Sequence, residues 1–184
     1  METFSPSVLQ NQQLVFHNVY IGKFESSTLM DAPILAHLPE PYVLRLPSPE
    51  NTYKIALAGN KGMGMFATRD IPTGGLIVVE HPVIVWPLMY SEAMSETHMG
   101  TMYQTLVGRL EPSVRREVLN LSNCKSEDEC EPVLGILRTN NIAINLRVPD
   151  GMHKYAANHR GVFLATSRCN HRLAPSQLIL VNFE

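Results

Sequence analysis

The spacing of apolar and polar residues changes along the chain and predicts short strands on either side of a helical segment. From residue 52 three apolar runs, TYKIALA, MFATRDI and LIVVEHPVIV, are separated by the glycine-containing turns GNKGMG and PTGG. Short runs rich in β-branched residues and bounded by glycine turns are typical of β-strands. We therefore expect residues 52–85 to form three strands of a small antiparallel β unit.

Between residues 91 and 140 the apolar spacing becomes helical. Met94, His98, Met102 and Leu106 recur every four residues, which predicts one face of a helix with methionines filling the core. Proline is tolerated in the first turn of a helix, so two further helices are predicted to begin at prolines. These are Pro112, followed by the apolar Val114, Val118 and Leu121, and Pro132, in PVLGILRTNN.

After residue 140 the pattern returns to strands. IAINLRV and GVFLATS are predicted strands, joined by the turn PDGMHKY, and the second leads to the pair Asn170-His171. The expected fold class is α+β, with mainly short strands and a helical insertion. The domain from residue 51 to 184 then divides into strands at 51–88, the insertion at 89–140 and a last part at 141–184.

The first fifty residues have a different character. DAPILAHLPEPYVLRLPSPE holds five prolines, which remove amide donors and restrict the preceding residue. Within the same region QQLVFHNVYIG is predicted to form one strand. We expect residues 1–50 to be a poorly organised, proline-rich arm.

The composition argues against several classes of protein, including nucleic-acid-binding, secreted and membrane-spanning proteins. Fifteen basic and 17 acidic residues give a net charge of −2, so no general electrostatic attraction to nucleic acid is expected. The beginning of the sequence lacks the basic and apolar regions of a signal peptide, and no apolar run is long enough to span a membrane. Three cysteines do not indicate a disulfide framework, and Cys124 and Cys130 lack the further ligands of a zinc site. A reducing, intracellular compartment is expected.

Two short motifs could carry chemistry. Gly62 and Gly64 flank Met63 in a turn whose backbone could approach a ligand closely. It lacks the third glycine of a dinucleotide-binding motif, since residue 67 is alanine. Taken alone, this segment favours a plain hairpin turn, and Asn170-His171 taken alone favours an ordinary turn.

The longer string KGMGMFATRDIPTGGLIVVEHPVIV resembles the opening of the SET domain of protein lysine methyltransferases. The family has a Lys/Arg-Gly-x-Gly turn followed by a hydrophobic residue and Phe-Ala, then an Ile-Pro-x-Gly turn and a strand ending near Glu-x-Pro. Here the last element is Glu80-His81-Pro82. GILRTNNIAI and HRGVFLATSRCNH resemble the segments that precede and reach the Asn-His motif in members whose domain is split by a helical insertion. The resemblance covers roughly residues 53–184.

This resemblance implies a SET-type β-clip fold, S-adenosylmethionine as cofactor and a protein lysine as substrate, on a histone or another protein, in the nucleus or cytoplasm. It implies mainly backbone contacts to the cofactor from one stretch of the glycine turn: Lys61, Gly62, Met63, Gly64 and Met65. It also implies that Asn170 contacts the methionine portion and that the backbone of His171 contacts the adenine. Asn140 matches a further polar contact. No metal is implied.

The sequence also departs from the family. Ser, Cys and Asn of the usual Asn-His-Ser-Cys-x-Pro-Asn motif are replaced by Arg172, Leu173 and Ser176. The acidic turn and catalytic tyrosine that follow in the family have no counterpart before Glu184. No tyrosine in the chain matches that position: Tyr20, Tyr42, Tyr53, Tyr90, Tyr103 and Tyr155. No catalytic residue is therefore assigned.

Three interpretations remain open. In the first, the chain is a lysine methyltransferase-like SET protein truncated before its tyrosine segment, and the 184 residues alone are expected not to methylate lysine. In the second, it is a non-catalytic SET-like interaction module whose helical insertion binds proteins. In the third, it is an unrelated β-rich adaptor.

Overall fold

A computed structural model describes residues 14–21, 24–38, 49–88, 95–152 and 154–169 of the chain. These residues form an α+β fold, which confirms the predicted fold class at that level. The strands are β1 Leu14–Ile21, β2 Phe24–Asp31, β3 Tyr53–Leu57, β4 Met63–Ala67, β5 Ile84–Pro87, β6 Asn141–Asn145 and β7 Asn158–Val162. The α-helices are α1 Ala32–His37, α2 Glu96–Gly108, α3 Pro112–Leu119 and α4 Pro132–Asn140.

Five of the strands form one mixed sheet in the order β1-β2-β5-β7-β6. Neighbouring strands are antiparallel except β2 and β5, which are parallel, with Ser27 opposite Ile84. β3 and β4 form a separate two-stranded antiparallel sheet, here called the glycine hairpin, in which Ile55 lies opposite Met65. The glycine hairpin carries the first motif, and the loop after β7 leads to the second.

The N-terminal region is more ordered than the sequence predicts. The expected strand exists as β1, but it pairs along its whole length with β2, and β2 enters the large sheet beside β5. Pro33 lies in the first turn of α1, where a missing amide costs nothing. The prediction of a poorly organised arm is therefore wrong for residues 14–21 and 24–38, while residues 39–48, with three of the five prolines, lie outside the described residues.

The third predicted strand of the small β unit is also corrected. β3 and β4 pair as expected, but within LIVVEHPVIV only the last two residues are strand, at the beginning of β5. β5 belongs to the large sheet, where it pairs with β2 and β7. Pro82 lies just before this strand, and proline offers no amide hydrogen to a ladder.

The helical insertion forms as predicted from its prolines. α3 and α4 begin at Pro112 and Pro132, and in each the preceding glutamate caps the helix by accepting a backbone N–H. The buried face of α2 includes Met102 and Leu106, as the four-residue spacing predicts, but His98 is exposed beside Ser95. Met94 lies outside the described residues.

The core occupies both faces of the large sheet. On one face helices α2, α3 and α4 pack around Trp86 and Leu137, and the Trp86 and Tyr103 rings meet edge-on at 5.0 Å between centroids. On the other face Ile34 of α1 packs near Phe163 and Ile144. Helices in the described part of the chain are all too short or too polar to cross a bilayer.

Candidate functional site

The turn of the glycine hairpin is fixed by its own backbone. The amide of Ala58 donates to the carbonyl of Gly62 at 2.7 Å, and Lys61 N–H donates to the carbonyl of Ala58 at 3.1 Å. Gly62 has φ 73° and ψ −147°, a conformation that residues with a Cβ rarely adopt. A Cβ added there would lie 3.8 Å from Ser122 Oγ, an ordinary contact. Glycine is thus required by the backbone angles and not by a lack of space.

The segment before Asn170 is anchored by Glu80. Its carboxylate accepts the backbone N–H of Ala165 at 2.8 Å and that of Thr166 at 2.9 Å, and it also accepts the Thr166 hydroxyl at 2.9 Å. These bonds hold a short 3₁₀ helix, Thr166–Arg168, where a strand was expected. The predicted strand GVFLATS is therefore wrong after Val162, because the carboxylate satisfies the amides that a strand would offer to a neighbour.

The end of this segment reaches the glycine hairpin. The Cys169 thiol lies 3.5 Å from the Met65 sulfur of β4. Arg168 donates to the carbonyl of Asn120, which follows helix α3, at 3.2 Å. The residue directly before the Asn-His pair therefore touches one of the predicted cofactor-binding residues. Asn170 and His171 themselves lie outside the described residues.

Asn140 has a role that its sequence match does not reveal. Its side-chain amide donates to the carbonyls of Ser122 at 2.6 Å and Ile136 at 2.7 Å, and the residue is buried. The backbone carbonyl of Asn140 accepts a hydrogen bond from the Ser167 hydroxyl at 2.9 Å. Both amide hydrogens are thus engaged with the protein and are not available to a ligand. Asn140 ties the loop beside Gly62 to the segment before Cys169.

Two weakly acidic side chains, the phenol of Tyr53 and the thiol of Cys169, lie where these segments meet. Partial burial, with smaller contributions from Glu80 and Cys169, raises the pKa of Tyr53 above its ordinary value. The pKa of the Cys169 thiol is also raised, first by partial burial of the thiol and second by the Glu80 carboxylate. The residue as a whole is exposed. Both groups therefore stay protonated at neutral pH. Tyr53 lies on the same face of the glycine hairpin as Met65, because residues two apart on a strand share a face.

The sequence indicated some of these groups and missed others. The sequence marks Glu80 as part of a motif, but the anchoring of Thr166 by Glu80 depends on a contact across 86 positions. Tyr53 does not match the position of the family's tyrosine, so the sequence assigns it no role. The alternation of side chains along β3 and β4 is the sequence pattern that predicts that Tyr53 shares a face with Met65.

The remaining candidate residues differ in their exposure to solvent. Lys61 and Met63 are exposed and Gly64 is buried. Cys124 is exposed and close to the Thr139 hydroxyl, at 3.2 Å, whereas Cys130 is buried. Within the described ranges no three His, Cys, Asp or Glu side chains are grouped so that they could hold a metal ion.

Comparison with known proteins finds no matching family model, no matching curated protein and no matching solved structure. The resemblance to SET domains therefore depends on the two sequence blocks quoted above.

Proposed function

We propose that this chain is a SET-domain protein of the lysine methyltransferase type and that it binds S-adenosylmethionine between the glycine hairpin and the Asn-His motif. One observation carries the proposal: Cys169 contacts Met65 across 104 positions of sequence. Two blocks that resemble one family's cofactor-binding motifs are thus neighbours in space. If the blocks were coincidental, nothing would require them to meet.

The chemistry of the described residues supports this cofactor. The Gly62 backbone conformation presents main-chain groups that no larger residue would allow at this point. Around Met65 the neighbouring thiol and phenol are uncharged, and the Glu80 carboxylate lies close enough to influence both. A carboxylate at this distance favours a nearby cation such as a sulfonium. Lys61, exposed beside the turn, can approach the cofactor's carboxylate.

Bound S-adenosylmethionine would supply an electrophilic methyl group for the neutral amine of a protein lysine, on a histone or another protein. In this family the protein contributes alignment and exclusion of water, which account for much of the barrier reduction in a direct displacement. We expect the 184 residues alone, in which no catalytic residue is assigned, not to methylate lysine. Gly62 and Met65 would fix one side of the cofactor, and Asn170 the other. Glu80 and Asn140 would act indirectly, by holding the segment that carries Asn170.

A second candidate is a SET-like module that binds proteins without transferring methyl groups. The observation that favours it is in the motif itself, where Arg172 and Leu173 replace small residues next to the proposed cofactor site. Two bulky side chains there would crowd a bound cofactor. The two candidates differ in whether the chain binds S-adenosylmethionine at all.

Isothermal titration of the full chain with S-adenosylmethionine tests the proposal. We expect saturable binding that Asn170→Ala weakens by about 1–3 kcal/mol, the range for leaving a polar partner unpaired. The matched control is Asn145→Ala, at the exposed end of β6, which should bind as the parent chain does.

Absence of binding in the parent chain would overturn the cofactor proposal and favour the second candidate. Equal affinity in Asn170→Ala and the parent would remove Asn170 from the site.

A further inference from the structure

One face of the glycine hairpin is apolar and open to solvent. Cross-strand pairing places six residues on it: Tyr53, Ile55, Leu57, Met63, Met65 and Ala67. Leu57 is 71% exposed, Met63 37% and Ile55 36%. Large apolar side chains gathered on one surface indicate a contact with another element or molecule. An isolated two-stranded sheet is also only marginally stable in water, so such a hairpin requires further packing.

The chain itself arrives at this face. Met65 is one of the six residues, and its sulfur is the atom that Cys169 contacts at 3.5 Å. Whatever follows Cys169 therefore starts next to the open apolar surface. From Cys169 to Gln177 the chain spans eight residue steps, a reach of up to about 26 Å when extended. A five-residue strand is about 17 Å long, so Gln177 can lie at either end of the hairpin.

The sequence that follows has the composition of a buried strand. Residues 177–183 read QLILVNF, with Leu178, Ile179, Leu180, Val181 and Phe183 apolar and no charge among the seven. A short continuous apolar run of this kind is consistent with a strand covered on both sides. It complements a hairpin face whose exposed side chains are Leu57, Ile55 and Met63.

We propose that Gln177–Phe183 docks on the apolar face of the glycine hairpin and covers Ile55 and Leu57. This inference does not rest on the cofactor proposal, because it is argued from the exposed apolar side chains of the hairpin and the composition of residues 177–183. Its consequence is that this face of the glycine hairpin is held at two places, by Cys169 at Met65 and by the docked segment at Ile55 and Leu57.

Hydrogen exchange of the full chain, read by mass spectrometry without added cofactor, tests the docking. Leu57→Asp places a charge on a side chain that is mostly solvent-exposed, so the described fold should tolerate it. We expect amides 178–183 to exchange at least about tenfold faster in Leu57→Asp than in the parent chain. The reciprocal variant, Leu180→Asp, should accelerate exchange in Tyr53–Leu57 and Met63–Ala67 and leave β5 and β7 protected.

Leu119→Asp is the matched control, since Leu119 is also exposed but lies on α3. It should change exchange in neither segment. Unprotected amides at 178–183 in the parent chain, or equal protection in the parent and Leu57→Asp, would overturn the proposal. Protection that grows with protein concentration, together with a dimer mass in light scattering, would overturn it in favour of a second copy as the occupant.

Discussion

At the scale of single residues, His159 shows what burial does to a titratable group. It is 1% exposed, in β7 between β5 and β6 of the large sheet, and its Nδ1 lies 3.2 Å from the Ala157 carbonyl. Burial lowers the pKa of His159 to about 4, and the contact with Ala157 offsets only part of that effect. Burial also lowers the pKa of His81, against the opposing charge of Glu80. Both imidazoles are therefore neutral in the folded protein at neutral pH.

These lowered pKa values predict acid sensitivity well above the range in which carboxylates titrate. Between pH 6.5 and about 4 an unfolded His159 is protonated and the folded one is not, so the unfolded state binds more protons. Stability is then full above pH 6.5 and falls as the pH drops through this range. We expect a loss of about 2 kcal/mol between pH 7 and pH 5 from His159.

Urea unfolding at pH 7, 6 and 5, followed by the fluorescence of the single, buried Trp86, measures this loss. In His159→Gln the pH dependence should be flatter by a similar amount, whatever the variant's absolute stability. Parallel pH profiles for the parent and His159→Gln would contradict the assignment.

Single residues also mark how far the sequence could predict the site. Glycine at 62 follows from a turn that needs positive φ, and such a need is visible in the sequence. The engagement of both Asn140 amide hydrogens is not, because the acceptors at Ser122 and Ile136 are set by how α4 meets the preceding loop. A sequence match to a ligand contact cannot distinguish a residue that touches the ligand from one that holds its neighbours.

At the scale of elements, a comparison of two glycines distinguishes a glycine that the backbone angles require from one that they do not. Gly62 has φ 73° in the turn of the glycine hairpin, while Gly100 lies inside α2 with no atom within 4 Å of an added Cβ. We expect Gly62→Ala to destabilise the protein by about 1–3 kcal/mol, the cost of a side chain in this backbone region. Gly100→Ala should stabilise it by up to about 1 kcal/mol, since alanine favours the helix.

Urea unfolding of both variants at pH 7 measures the two effects in one experiment. Equal stability of Gly62→Ala and the parent chain would mean that the turn can adopt another conformation, and the geometry assigned to the cofactor site would lose its basis.

The elements that the sequence predicts well are those with local signals. Helices α3 and α4 begin at Pro112 and Pro132, and each has a capping glutamate one residue earlier. β2 has no such signal: most of the residues in FESSTLMD are polar, and its strand exists because β1 and β5 pair with it on either side. Burial of Ser27 and Thr28 follows from that position and not from their own chemistry.

At the scale of the whole molecule, contacts between distant segments decide both topology and site. The α+β class follows from local patterns, but the order β1-β2-β5-β7-β6 includes a parallel pair that no local pattern specifies. The site depends in the same way on Glu80 holding Thr166 and on Cys169 reaching Met65. The two motifs can be identified in the sequence, but only the fold shows that the segments carrying them lie close together.

We propose that the glycine hairpin and the segment ending at Cys169 border one S-adenosylmethionine site, and a cysteine of the chain can report on it. Cys169 and Cys124 are both exposed, but only Cys169 touches Met65. The direct measurement is the rate of iodoacetamide labelling at each cysteine of the full chain, by mass spectrometry at pH 8, with and without saturating S-adenosylmethionine. We expect the cofactor to slow labelling of Cys169 at least fivefold (about 1 kcal/mol) and to leave labelling of Cys124 unchanged. Equal labelling of Cys169 with and without the cofactor would contradict it.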